Sequence, residues 1–238
     1  ALLWRLREPP RRGPKATLTV DEIVRAAIAV ADADGLGAVS MAKVAAELGN
    51  STMALYRHVR SKDELLLLMA DLAIAEPPDL SGMDWRTALS TWSLALLQQL
   101  YAHTWFAELP LNGPPVGPGN LAWFDRALGG LADTGLMEVE KVGIVLNLTT
   151  YIHGQLRLAR DLERSYRRDP EAFGPRYGAM LTELVDPARF PALSRVVADG
   201  VFSTEDMYDD DNEDFRFGVD MFLDGVEVYL TRRCQPSG

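Results

Sequence analysis

One cysteine, Cys234, stands in 238 residues, so no disulfide framework can brace this chain, and a reducing compartment, the cytoplasm, fits. Histidine is almost as scarce. His58, His103 and His153 are scattered without the spacing of a metal site. No glycine-rich phosphate loop and no paired acid and base accompany them, so an enzyme, a metal and a cofactor are not expected. Long hydrophobic runs are missing too. The longest, residues 65–75, is interrupted by Asp71 and is too short to span a bilayer. Residues 1–8 are apolar and basic, but no small-residue cleavage site follows, and no signal peptide is expected. Alternation with period two and internal repeats are absent, which leaves helices as the building material.

What the chain has is apolar content and an uneven charge. Hydrophobic residues make up 47%, enough for a packed core. The net charge of −10 argues against nucleic acid until it is divided. Residues 1–62 hold 10 basic and 6 acidic side chains, and the rest hold 14 and 28. A small basic part on an acidic body fits a DNA-binding domain joined to a larger domain with another role.

Local signals divide the chain further. Residues 1–18 read as a basic, flexible arm: Pro9, Pro10, Gly13 and Pro14 oppose regular structure, and Arg11, Arg12 and Lys15 supply charge, either as a solvated tail or as a basic arm that enters a minor groove. Thr19 and Glu22 form a capping box before a helix that ends at Gly35. Ser40 caps a second short helix, and Gly49-Asn50 marks a turn. Ser51 or Thr52 caps a third helix, expected to reach Val59, and Ser61 with Glu64 opens a fourth over residues 62–76. Three short helices with one glycine-containing turn make a helix-turn-helix over residues 19–64. Longer helices follow over residues 65–238: one from Asp84 to about His103, one from about Asn120, a long one from Glu138 to about Arg167 and a last one over 214–233. The loop 110–119 and the proline-broken stretch 169–200 separate them. The acidic run 209–214 reads as a solvated loop rather than a metal site.

The string Leu55-Tyr56-x-His58-Val59-x-Ser61-Lys62-Asp63-Glu64-Leu65, within a match running from Thr19 to Leu68, resembles the DNA-binding signature of the TetR family of repressors. Independently of that likeness, a helix starting at Ser51 places Ser51, Thr52 and Met53 at the end that enters a major groove, where Thr52 can bond a base or phosphate and Met53 can meet a thymine methyl. Arg57 can touch base or backbone, and Lys43 lies near enough to feel phosphates. The resemblance implies that Tyr56, His58 and Lys62 contact backbone phosphates, which position the protein without specifying sequence. Leu55 and Val59 are core. Where many members of the family carry an arginine, this chain has Ala42.

Asp84-Trp85-Arg86, His103-Thr104-Trp105 and Gly117-Pro118-Gly119-Asn120 resemble the tetracycline-repressor type of C-terminal domain, which implies a ligand cavity between the middle helices and a four-helix dimer interface. Trp92, Leu96, Gln99, His103, Phe106, Trp123 and Phe124 are the candidate walls. Asn147, Thr150 and Tyr151, with His153, form a polar insertion in an apolar helix and are candidate polar contacts. Trp92 and its neighbours stand where the tetracycline repressor carries polar drug contacts, so an apolar or aromatic ligand is expected rather than tetracycline with magnesium. On the final helix, Phe215, Val219, Phe222, Val226 and Leu230 offer a face wide enough for a second copy.

The expectation is therefore an all-α chain, with a three-helix DNA-binding domain and a larger helical ligand-binding and dimerisation domain. Its partners are a palindromic double-stranded operator, a small-molecule effector and a second copy of itself, with no membrane. Ligand binding would shift the fourth helix and release the operator. The alternative is a helix-turn-helix protein that binds DNA without ligand control, or under control of another protein.

Overall fold

A computed structural model describes residues 2–5, 18–74, 76–109, 116–169, 175–202 and 212–234. Among them every regular element is a helix. The candidate minor-groove residues Arg11, Arg12 and Lys15 lie outside the described residues, as do Asp209 to Asp211. At the start of the expected arm, Leu2–Arg5 is a single helical turn, α1.

Helix α2 (Val20–Asp34) starts where the sequence signals it. The Thr19 hydroxyl accepts from Glu22 N–H, and the Glu22 carboxylate accepts from Thr19 N–H at 2.8 Å. Its buried residues, Ile23, Val24, Ala27, Val30 and Ala31, form one stripe. Gly35, at φ 81°, ends it in a conformation that costs other residues strain. A 3-10 turn, Leu36–Ala38, leads to α3 (Met41–Glu47), capped by Ser40. Gly49 turns the chain at φ 63°, and the Asn50 N–H closes the turn on Ala45 O at 2.9 Å. Helix α4 (Thr52–Tyr56) follows, with Ser51 rather than Thr52 as its cap.

Helix α4 stops three residues before the expected Val59. The His58 and Val59 N–H groups both turn back onto Leu55 O at 2.9 Å, which tightens the last turn. Leu55 and Val59 are fully buried and anchor both ends of that turn. The chain is then extended at Ser61, whose hydroxyl caps α5 (Lys62–Leu72). Its capping box is displaced by one residue: the Glu64 carboxylate accepts from the N–H of Arg60, at 2.6 Å, not from that of Ser61. Helix α5 also ends earlier than expected, at Leu72.

Two compact units are built from the chain, one of residues 1–156 and 222–238, the other of residues 157–221. The first contains α1 to α5, then α6 (Trp85–Ala102), the 3-10 turn Thr104–Glu108, α7 (Pro118–Gly130), most of α8 (Glu138–Arg168) and most of α11 (Glu213–Cys234). Asp84 caps α6, and Pro118 opens α7 two residues before the expected start, since proline needs no N–H partner there. Helix α2 packs on α3, α5 and the 104–108 turn, and α7 packs on both α5 and α6. In the part of α8 that belongs to this unit, Val145, Leu148, Ile152 and Leu156 are buried, and the Lys141 ammonium reaches Glu138 Oε1 at 2.8 Å.

The second unit holds the end of α8, then α9 (Pro175–Leu184), α10 (Pro191–Ala198) and the start of α11. Helices α9 and α10 pack on each other, and Tyr177 meets Phe202 edge to face at 5.6 Å.

The final helix corrects one expectation. Phe215, Val219 and Val226, offered above as a partner face, are buried within their own chain together with Leu223, while Phe222 and Leu230 are half-buried. The apolar side chains left exposed are others: Phe217, Met221, Val228 and Tyr229. A helix apolar on two sides can serve a core with one and remain open on the other.

Candidate DNA interface and aromatic core

The residues expected at DNA stand together on one short surface stretch. Ser51, Thr52, Met53, Tyr56, Arg57 and Lys62 are exposed, and His58 is half-buried. Met53 is 70% and Tyr56 48% exposed, while Leu55 between them is fully buried. Alternating so sharply, α4 hangs from the core by one leucine and presents a thioether and a phenol outward. Ser51 Oγ is already engaged, accepting from Ala54 N–H at 3.3 Å. Lys62 stands at the first position of α5, where the free N–H groups favour an anion.

Lys43 is placed differently. Its ammonium lies 3.4 Å from Glu47 and 3.8 Å from Asp34, so it is shared between two carboxylates before any phosphate arrives. Arg60 was not singled out in the sequence. It is highly exposed, and its guanidinium donates to Glu64 at 2.8 Å. That pairing and the Arg60 N–H hold the Glu64 carboxyl below its ordinary value and raise Arg60 further.

Among the expected ligand contacts, Trp92, Leu96, Phe106 and Trp123 are buried. The Trp92 indole N–H donates to Trp123 O at 2.9 Å, and the two rings are tilted at 6.2 Å. Phe106 stacks on Trp105 at 4.6 Å, and His103 touches both. Gln99, His103, Phe124 and Tyr151 are half-buried, and Tyr151 OH accepts from Gln155 at 2.9 Å. Asn147 and Thr150 are a correction. They are exposed and donate to the carbonyls of Gly143 and Leu146 on their own helix, each at 2.8 Å. An amide or hydroxyl one turn from a backbone carbonyl can satisfy itself there, so polarity within an apolar stretch does not require burial.

Trp105 and Asp32 join this cluster without being candidates on sequence grounds. Trp105 is 1% exposed, and its indole N–H donates to Asp32 Oδ1 at 2.7 Å. Trp105 belongs to the quoted His103-Thr104-Trp105 string, which was the available signal. Asp32 gave none, because its partners are some seventy residues away in the chain. Among the described residues, no cluster of three or more His, Cys, Asp or Glu side chains is gathered for a metal, and no helix is long and apolar enough to cross a membrane.

Residues 23–69 match the family described as bacterial regulatory proteins, tetR family, and residues 77–230 match the tetracyclin repressor-like C-terminal domain. The chain belongs to the TetR family. Over 238 residues it is 34% identical to the HTH-type transcriptional repressor DrrR1 of Streptomyces coeruleorubidus, covering 98% of this chain and 86% of that one. Among solved structures it is similar to apo ActR of Streptomyces coelicolor, at 27% identity and a TM-score of 0.74, covering 90% of this chain and 99% of that one. ActR in complex with actinorhodin matches at 26% identity and a TM-score of 0.73, with the same coverage. This TetR-family chain is accordingly a DNA-binding transcriptional regulator, and its relatives are regulators rather than enzymes.

Proposed function

We propose that this protein is a homodimeric repressor that grips a palindromic operator with α4 and releases it when a small aromatic ligand enters the core between α6 and α7. The observation that carries the reading is the exposure of Met53 and Tyr56 on a five-residue helix pinned by buried Leu55. Two large side chains held in water on so short a helix suit a groove better than a monomer's surface. Thr52 and Met53 read bases. Tyr56, Arg57, His58 and Lys62 hold phosphates with Ser51 at their edge, and Lys43 adds long-range attraction. Residues 19–64 act as the DNA-binding domain, 1–18 as a basic arm, and 65–238 as the ligand and dimer domain.

The ligand reading rests on Trp92, Leu96, Phe106 and Trp123, with Gln99, His103, Phe124 and Tyr151 at the margin. The ligand is aromatic and largely apolar, because the Trp92 donor is already satisfied by Trp123 and the buried walls offer ring faces. That the similar protein ActR forms a complex with actinorhodin supports a small-molecule ligand for this chain as well. A second copy is expected on the side that leaves Leu146 and Val228 exposed. The protein works in the cytoplasm and catalyses nothing.

The test is fluorescence anisotropy on duplexes selected from random sequence by the whole chain, with actinorhodin as the first ligand probe. Tight binding to a palindrome, weakened by the compound, is expected. Failure to enrich any duplex at low salt overturns the DNA reading. Binding that persists across a panel of aromatic compounds favours a repressor without ligand control.

A further inference from the structure

Two carboxylates, one on α2 and one on α5, reach across to the middle helices of the same unit. Asp32, near the end of α2, accepts from the Trp105 indole N–H at 2.7 Å, and the same oxygen lies 2.8 Å from His103 Nδ1. Asp71, near the end of α5, is 2% exposed and accepts from the Asn120 backbone N–H at 2.9 Å and from its Nδ2 at 3.1 Å. Helix α2 packs on α5, so the two carboxylates are carried by one pair of helices.

Asp71 makes sense of Gly117-Pro118-Gly119-Asn120. Gly117 occupies the N-cap position of α7 and has no side chain with which to cap it. Asp71 supplies that cap from another helix. A Cβ at position 117 would collide with the Asp71 carboxylate, although the backbone there (φ −85°) would accept any residue. Glycine therefore makes the notch, proline starts the helix without an N–H, and asparagine provides two donors. A carboxylate here also meets the positive end of α7. Helix α7 carries Trp123, bonded to Trp92, while α5 begins at Lys62, six residues past the end of α4.

We propose that Asp71, seated in the notch at Gly117, is the positioning residue that ties the recognition helix to the aromatic core, with Asp32 on Trp105 as the second point of attachment. This rests on the ligand-responsive reading above. A buried cap of this kind is either made or broken, so a shift of α7 is passed to α5 as a whole rather than absorbed by side chains.

The experiment measures the α4-to-α7 distance in the full chain by electron spin-label spectroscopy. Labels are placed through Thr52→Cys and Asp125→Cys in a Cys234→Ser background, diluted with unlabelled chain. The parent is expected to show one narrow distance. Asp71→Ala is expected to add a second population or broaden the first, and Gly117→Ala to do the same by expelling the carboxylate. Asp71→Asn, which keeps an acceptor oxygen, should recover most of the narrow peak. Leu68→Ala, a buried cavity on the same helix, should lower the melting temperature without broadening the distance. An unchanged narrow distance in Asp71→Ala, or in Gly117→Ala should the first not fold, overturns the proposal. So does equal broadening in Leu68→Ala. Neither DNA nor ligand is needed, so these results stand apart from the fate of the repressor reading.

Discussion

Trp92 and Trp123 face each other across α6 and α7, their ring centroids 6.2 Å apart and the indole N–H of the first bonded to the carbonyl of the second at 2.9 Å. Both rings are buried, so this bond joins the two helices without competition from water. Trp92→Phe removes the donor and part of the ring. A loss of about 1–3 kcal/mol in urea unfolding is expected, against about 3–5 kcal/mol for Trp92→Ala. Losses below about 0.5 kcal/mol for Trp92→Phe would mean that the bond contributes little to joining the helices.

Acid should weaken the protein by a route the carboxylates define. Glu22 is held below its ordinary value by the Thr19 N–H and hydroxyl, Asp84 by the hydroxyl and N–H of Thr87, and Glu140 by the Tyr229 hydroxyl and the Met137 N–H. A depressed carboxyl stabilises the fold above its unfolded value, 4.5 for Glu and 3.8 for Asp, and that contribution is lost as pH falls through the folded value. The urea midpoint is therefore expected to be flat above about pH 5.5 and to decline below it. Glu22→Gln should shallow the decline, and an equally steep acid limb in that variant would count against the capping box as a contributor.

At the DNA interface, affinity and specificity should separate. Lys62→Ala and Tyr56→Phe are expected to weaken all duplexes alike. Lys62→Ala should also flatten the log–log salt dependence by about 0.9, one phosphate's share. Met53→Ala should instead narrow the gap between the selected palindrome and a variant at one thymine, by about 1 kcal/mol, the worth of one buried methyl contact. Anisotropy titrations at several salt concentrations distinguish these outcomes. A uniform loss for Met53→Ala would place it against the backbone.

Dimerisation can be tested on the apolar side chains the fold leaves open. Leu146 is 47% and Val228 49% exposed. Leu146→Arg combined with Val228→Arg should shift sedimentation from dimer to monomer. Surface changes of this kind should alter the stability of the folded chain by no more than about 0.5 kcal/mol each. A dimer that persists would move the interface elsewhere.

Local chemistry made much of this legible from the chain alone. Thr19 with Glu22, Ser40, Ser51, Ser61 and Asp84 cap helices as their neighbours dictate, because a cap is a contact over two or three residues. Buried stripes such as Ile23 to Ala31 follow from helical periodicity in the same way. Tertiary structure decided whatever depends on distant partners. It buried Phe215 and Val219 but left Phe217 and Met221 in water, and it turned Asn147 and Thr150 back onto their own helix. It also set Asp32 on Trp105 and Asp71 in the notch of Gly117. Spacing along a chain states which side chains share a face, but only packing states what that face meets.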